Sequence, residues 1–152
     1  MKGTILAVAA LVIAAALTGG VASAAPTKND VQVIGNVQID PNDPTVAYVT
    51  GRYICQGGPG AHVWMSAKQA ESRRPENWLT EEGSGGLAAA WSHSHRHAVT
   101  CDGQWHTATF TIDQEEWGQG ELQPGQAWVQ FCVIPSTGEE DIVWSNRFAA
   151  IK

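Results

Sequence analysis

Three histidines at alternate positions are the residues of this sequence best suited to chemistry. They are His93, His95 and His97, in the stretch WSHSHRHAVTC. Neutral imidazole is a common ligand of zinc and copper, and alternate residues of a β-strand share one face. Two neighbouring members lie about 7 Å apart at the backbone of an extended chain, close enough for their rings to converge. The run therefore predicts a zinc or copper site, with His106 or His62 as a further ligand.

The same stretch also fits a polar border of the fold. A straight strand spreads the three histidines over about 13 Å, so one of them would have to bend in from a bulge to share an ion. The residues between and before them, Ser92, Ser94 and Arg96, are polar as well. A strand that is polar on both faces is expected at a sheet edge or in a loop. Its histidines would gain charge together below about pH 6.5, which would make this surface sensitive to pH.

Short strands are the elements expected to position this run. Apolar and polar residues alternate in segments such as TVAYVTGRYIC, AHVWMSAKQ and AWVQFCVI, and turn-forming runs such as DPNDP and QGGPG separate them. Such β-branched and aromatic runs between turns are typical of strands. The pattern predicts an all-β fold, an antiparallel immunoglobulin-like β-sandwich of about seven or eight strands. It forms a single domain over residues 25–152.

Two connections, over residues 70–86 and 115–126, each carry a tryptophan that is hard to place in a core. Long ordered loops often carry function, although the first connection also fits a plain crossover. We predict Trp78 and Trp117 as ligand-binding residues, because exposed aromatic rings stack on sugars or anchor a protein partner. The chain has seven tryptophans. Of the others, Trp64 and Trp144 are predicted to lie in the core or to be half-buried.

The amino terminus has the composition of a secretory signal peptide. Lys2 precedes an apolar run from Ile5 to Leu17, and Ala22-Ser23-Ala24 has the pattern of a cleavage site. The apolar run is shorter than the roughly 20 residues that a membrane-spanning helix needs. We predict a signal peptide over residues 1–24, no membrane span in the mature chain, and a secreted, extracellular or cell-surface location.

Charge and motifs exclude several classes of function. Without Lys2 the chain has 8 basic and 15 acidic residues, a net charge of about −7, which argues against nucleic acid and anionic membranes as partners. Gly-x-Ser-x-Gly, His-Glu-x-x-His and Ser-x-x-Lys motifs do not occur. The pairs Glu81-Glu82 and Glu115-Glu116 could serve a glycosidase, but adjacent loop carboxylates are more often solvated charge. We therefore predict no enzyme activity.

The remaining class is a secreted or cell-surface, non-catalytic binding module. Its expected partner is a protein or a carbohydrate at the cell envelope. A secreted zinc- or copper-binding protein is the alternative.

Export also makes a disulfide the default expectation. Cys55, Cys101 and Cys132 allow one bridge and leave one thiol. The order Cys55, Trp64, Cys132 is similar to the immunoglobulin pattern, which favours a Cys55–Cys132 bridge. Two details depart from that pattern: Gln130 stands where it has a tyrosine, and alternation puts Cys132 on the face opposite its apolar neighbours.

Two short motifs point to the other pairing. Gly-x-Tyr-x-Cys and a later Cys-Asp-Gly-x-x-His occur in GRYICQGG and VTCDGQWH. Their residues are Gly51, Tyr53, Cys55, Cys101, Asp102, Gly103 and His106. In these motifs the chain resembles an uncharacterised family of small secreted actinobacterial proteins. The resemblance implies a β-sandwich with a Cys55–Cys101 bridge and no known activity. Under this pairing Cys132 is either a buried thiol or the link in a dimer.

Overall fold

Strands dominate the described part of the chain. The computed structural model describes residues 29–94, 97–136 and 142–152, so the predicted signal peptide and His95 lie outside the described residues. The strands are β1 (Asp30–Ile39), β2 (Ala47–Ile54), β3 (His62–Gln69), β4 (Ala90–His93), β5 (His97–Ala98), β6 (His106–Ile112), β7 (Gly125–Ile134) and β8 (Val143–Ile151). Two short 3₁₀ turns, Asn77–Thr80 and Ser84–Leu87, lie between β3 and β4. No helix in these ranges is long and apolar enough to cross a membrane.

The strands form one mixed sheet that curls into a half-barrel. Their order is β4, β3, β7, β8, β1, β2, β6, and β5 pairs with β3 beside β4. A bulge between Ile34 and Gln38 lets β1 contact both β2 and β8. The β1–β8 contact, at Val37 and Ile151, is parallel. The predicted all-β fold and strand number are confirmed, but the sheet is not wholly antiparallel, and the immunoglobulin-like sandwich stays a prediction.

Alternation places the apolar core on the inner face of the curled sheet. Alternate residues over most of β3 and β7 are buried and apolar, including Val63, Met65, Phe131 and Val133. The register pairs Met65 with Phe131 and Val63 with Val133 across the two strands. Paired residues share a face, so these side chains pack in one layer. The residues between them point to the outer face, where the candidate site lies.

The edge strand β4 is covered by the connection that follows β6. The backbone amide of His93 donates to the carbonyl oxygen of Asp113 at 2.8 Å, and the reverse bond measures 2.9 Å. Trp91 and Gln119 exchange backbone hydrogen bonds in the same way. The predicted edge position is thus confirmed for β4. Ala90, Ser92 and His93 are nevertheless buried and Trp91 is half-buried, because the connection occupies the edge that water would otherwise reach.

A disulfide between Cys55 and Cys101 joins the end of β2 to the turn before β6. This confirms the bridge that the family resemblance implied. The alternative Cys55–Cys132 bridge is wrong, since Cys132 has a free thiol. The amide of Gly103 donates to the carbonyl oxygen of Cys55 at 2.9 Å. Three residues of the two motifs, Cys55, Cys101 and Gly103, therefore form a corner of the fold.

Candidate binding site: an aromatic groove

His93 lies at the centre of a group of tryptophan rings. Its ring centroid is 5.4 Å from that of Trp91, 5.5 Å from that of Trp117 and 6.4 Å from that of Trp64. The side chain is 1 % exposed, and its Nδ1 lies 3.2 Å from the carbonyl oxygen of Ser94. The imidazole therefore packs among indoles instead of projecting into solvent.

His97 lies on the opposite face of the sheet from His93. His93 pairs with Ser66 and His97 pairs with Val63. The two histidines are four residues apart, whereas their partners in β3 are only three residues apart. A one-residue shift of register turns the following side chains to the other face. The His97 ring accordingly contacts Phe110 of the core, with 5.7 Å between centroids.

His106 and His62 each have local partners. His106 Nε2 lies 2.8 Å from Asp102 Oδ1, and its ring stacks on Tyr53 at 5.5 Å beside the disulfide. The hydrogen bond to His106 is the main cause that lowers the pKa of Asp102. His62 Nδ1 lies 3.3 Å from the carbonyl oxygen of Gly60. Both histidines therefore contact residues of their own turn or of a neighbouring strand.

The predicted metal ligands that the structure describes are not brought together. His93, His97 and His106 occupy three separate environments. Within the described ranges, no three side chains of His, Cys, Asp or Glu converge as the ligands of one ion would. A zinc or copper site that uses His95 stays a prediction, because that residue lies outside those ranges.

The outer face of β3, β7 and β8 carries indoles and amides. The register aligns two rows across these strands: Trp64, Cys132 and Trp144 in the first, and Ser66, Gln130 and Asn146 in the second. Neighbouring strands are about 4.8 Å apart, so Trp64 and Trp144 stand roughly 10 Å apart at the backbone. This face therefore presents two separated indoles with polar side chains beside them.

The connection between β3 and β4 (residues 70–89) covers the other half of this face. We call this segment the wall. Its small apolar cluster consists of Ala70, Leu79 and Ala88, packed against Trp78, Trp91, Trp128 and Phe148. Lys68 Nζ donates to Ser84 Oγ at 2.7 Å, and Ser84 Oγ donates to the carbonyl oxygen of Leu79 at 2.9 Å. Lys68 is 5 % exposed, and burial lowers its pKa. The wall is thus fixed by its own core and by a buried lysine.

A groove of about 680 Å³ runs between the wall and the open half of the outer face. We call it the aromatic groove. Its sides and floor are formed by Trp64, Lys68, Trp91, Trp144, Gln130 and Asn146, and its rim by Thr80, Glu81, Glu82, Gly83, Gly85 and Gly86. A Cβ atom on Gly85 would lie 2.9 Å from the Trp91 ring, so this glycine lets the wall approach the indole. Pockets of about 300–1,000 Å³ are typical for small ligands.

Cys132 lines a smaller recess next to the groove. This recess of about 100 Å³ shares Trp64, Gln130, Trp144 and Asn146 with the lining of the groove, and the register places Cys132 between Trp64 and Trp144. Its Sγ donates to the carbonyl oxygen of Trp64 at 3.5 Å, and burial raises the pKa of this thiol. A raised pKa keeps the thiol protonated and slow as a nucleophile at neutral pH. The dimer through Cys132 stays a prediction, and a second chain would have to enter this recess to form it.

Trp144 is the functional candidate that sequence reasoning missed. Its predicted core or half-buried position is wrong, since the side chain is 71 % exposed at the groove. Trp64 is half-buried, as predicted. A signal for Trp144 existed in the alternation of β8, because Asn146 follows on the same face and an amide rarely faces a core.

The two tryptophans predicted as ligand-binding residues have different surroundings. Trp78 is half-buried against the cluster of the wall and does not line the groove. Trp117 does not line the groove either, but it is 64 % exposed and stacks on His93 beside Trp91. Trp117 therefore remains accessible to a ligand, whereas the contacts of Trp78 are those of a packing residue.

Comparison with protein-family models and with curated proteins identifies no relative of this chain. No model of a protein family matches the chain, and no curated protein matches it significantly. The resemblance to small secreted actinobacterial proteins therefore stays a prediction that rests on two motifs.

Proposed function

We propose that this protein is an exported, non-catalytic binding module and that the aromatic groove is its ligand site. The observation that carries the proposal is Trp144, whose indole is 71 % exposed on an ordered strand. Burying an aromatic side chain of about 150–250 Å², at about 25 cal/mol per Å², is worth several kcal/mol. A large aromatic ring that stays exposed beside other indoles and amides is typical of a contact surface.

The acidic residues of the groove favour binding over catalysis. Glycoside hydrolysis uses two carboxyl groups that flank the scissile bond from opposite sides. Among the residues that the structure describes, the acids that line the groove are Glu81 and Glu82, which are adjacent on one rim. The raised pKa of the Cys132 thiol likewise argues against a nucleophile.

Export is part of the proposal. The Cys55–Cys101 bridge suits an oxidising compartment, and residues 1–24 have the composition of a signal peptide. A protein or carbohydrate at the cell envelope is the partner that such a location offers. The resemblance to small secreted actinobacterial proteins agrees with this assignment.

Retention on a cell-envelope fraction tests the groove as the ligand site. The purified protein and its Trp144→Ala variant are mixed with envelopes of the producing cells, and the bound fraction is measured after sedimentation. We expect Trp144→Ala to weaken retention at least about tenfold, because central aromatic contacts dominate binding energy.

Trp105→Ala is the matched control for this experiment. Trp105 is 40 % exposed, but it lies outside the groove, with the Arg52 guanidinium of β2 at 4.3 Å from its ring centre. Retention should therefore stay unchanged in this variant. An equal loss in both variants, or no loss in either, would contradict the groove as the ligand site.

A further inference from the structure

We propose that the aromatic groove binds an extended, neutral polysaccharide chain, an inference that rests on the proposed function and names its ligand class. The groove lies along a sheet face between Trp144 and the wall. A chain that lies across strands β8, β7 and β3 would meet an indole at each end of the first row. The ligand class follows from the chemistry of the lining.

The indoles suit the flat face of a sugar ring. A pyranose presents C–H bonds on its faces, and their slightly positive hydrogens pack on the negative π-face of an aromatic ring. Trp64 and Trp144 stand roughly 10 Å apart at the backbone, a span comparable to a disaccharide unit of an extended glycan. Two sugar rings of one chain can therefore contact both indoles.

The amides beside the indoles suit sugar hydroxyls. Gln130 and Asn146 occupy the second row of the same face, and each amide offers two donors and an acceptor. The Ser66 hydroxyl donates to Gln130 Oε1 at 3.4 Å, which orients that amide. A purely apolar ligand would leave these polar groups without hydrogen bonds when it displaced their water. Hydroxyl groups around the edge of a sugar would satisfy them.

The charges at the groove select a neutral chain. Glu81 and Glu82 are exposed on the rim. The Lys68 ammonium is 5 % exposed and donates to Ser84 beneath the wall, so its charge is largely withdrawn from a ligand. The charge presented to the groove is therefore negative, and the whole chain has a net charge of −6. A polyanionic glycan would be repelled, most strongly at low ionic strength.

The size of the groove favours a glycan over a folded protein. Its volume of about 680 Å³ is in the range of small-ligand sites. A stable protein interface buries about 800 Å² on each partner, which needs a much larger surface than this groove.

Affinity electrophoresis tests the ligand class. The protein migrates through native gels that contain one soluble polymer each: hydroxyethyl cellulose, xylan, glucomannan and β-glucan as neutral probes, and alginate, polygalacturonate and hyaluronan as acidic ones. We expect at least one neutral polymer, and no acidic one, to retard the protein. Trp144→Ala should raise the dissociation constant at least about tenfold, and Trp105→Ala should leave it unchanged.

Alkylation of Cys132 locates the bound polymer independently. Cys132 lies between Trp64 and Trp144 on the outer face and lines the recess that shares four residues with the groove, so a chain that contacts both indoles should slow modification of its thiol by N-ethylmaleimide, as followed by mass spectrometry. The polymer that retards migration is the one used for this protection. The same polymer should give no protection in Trp144→Ala.

The outcomes distinguish the proposal of a neutral polysaccharide ligand from the proposal that the groove is a ligand site. Retardation by acidic polymers alone overturns the neutral class. No retardation by any polymer, with Trp144-dependent retention on envelopes, overturns the glycan and leaves the groove as a site for another ligand. Neutral binding that is insensitive to Trp144→Ala, without protection of Cys132, overturns the glycan proposal, because the polymer then binds elsewhere, and retention on envelopes still decides whether the groove is a ligand site.

Discussion

Gly51 of β2 lies against the ring of Phe131 in β7: a Cβ atom at this position would come within 2.5 Å of Phe131 Cε1. Gly51 is also the first residue of the Gly-x-Tyr-x-Cys motif, which ends at the bridged Cys55. The glycine thus permits a close approach of two strands, and the cysteine fixes a corner. At the scale of residues, the motif is explained by packing and covalent closure rather than by ligand contacts.

We expect Gly51→Ala to destabilise the protein by about 1–3 kcal/mol, because the added methyl group overpacks a filled core. Gly86→Ala is the control, since no atom lies within 4 Å of an added Cβ there. Its effect should stay within about 0.5 kcal/mol. Urea denaturation measures both values. A loss in Gly51→Ala no greater than in Gly86→Ala would mean that the Phe131 ring moves aside at little cost.

Residue types alone predicted little of the candidate site. His93 and His97 drew attention as metal ligands on one face, but a register shift that alternate spacing does not reveal puts His97 on the opposite face from His93. Trp144 was assigned to the core or a half-buried position because large aromatics usually lie there. Whether it is covered depends on how far the wall extends over the outer face. That extent is a tertiary property, which local sequence does not encode.

At the scale of elements, the wall turns a plain crossover into one side of the aromatic groove. It contains the 3₁₀ turn Asn77–Thr80. Its hydrophobic residue, Leu79, is fully buried, and the Lys68–Ser84 hydrogen bond ties it to β3. The polar composition of the segment predicted a connection. It did not predict that one leucine and one lysine would hold that connection against the sheet.

We expect Leu79→Ala to lower the free energy of unfolding by about 2 kcal/mol or more, because it empties the centre of the wall cluster. It should also speed amide hydrogen exchange over residues 77–87. Leu87→Ala is the matched control: Leu87 is 78 % exposed at the end of the second 3₁₀ turn, so its loss should change stability by less than about 0.5 kcal/mol. Unchanged exchange in Leu79→Ala would show that the cluster does not hold the wall.

At the scale of the whole molecule, the strands were predictable and their order was not. Alternation in β2, β3 and β7 predicted an all-β fold because each strand has one face on the core. The parallel contact between Val37 and Ile151 joins residues from the two ends of the described chain. No local pattern specifies such a pairing. The curl of the sheet, and hence the outer face that carries the groove, depends on it.

The Cys55–Cys101 bridge restrains this topology across a sequence separation of 46 residues. The closed loop contains β3, the wall, β4 and β5, and therefore one whole side of the groove. For a loop of this length the chain-entropy model gives about 4 kcal/mol of stabilisation. The double variant Cys55→Ala with Cys101→Ala should thus lose about that much stability in urea denaturation. Cys132→Ser, which removes the free thiol, should lose less than about 1 kcal/mol. Equal losses in the two variants would mean that the unfolded chain is already restrained without the bridge, because the bridge stabilises the fold by limiting the unfolded ensemble.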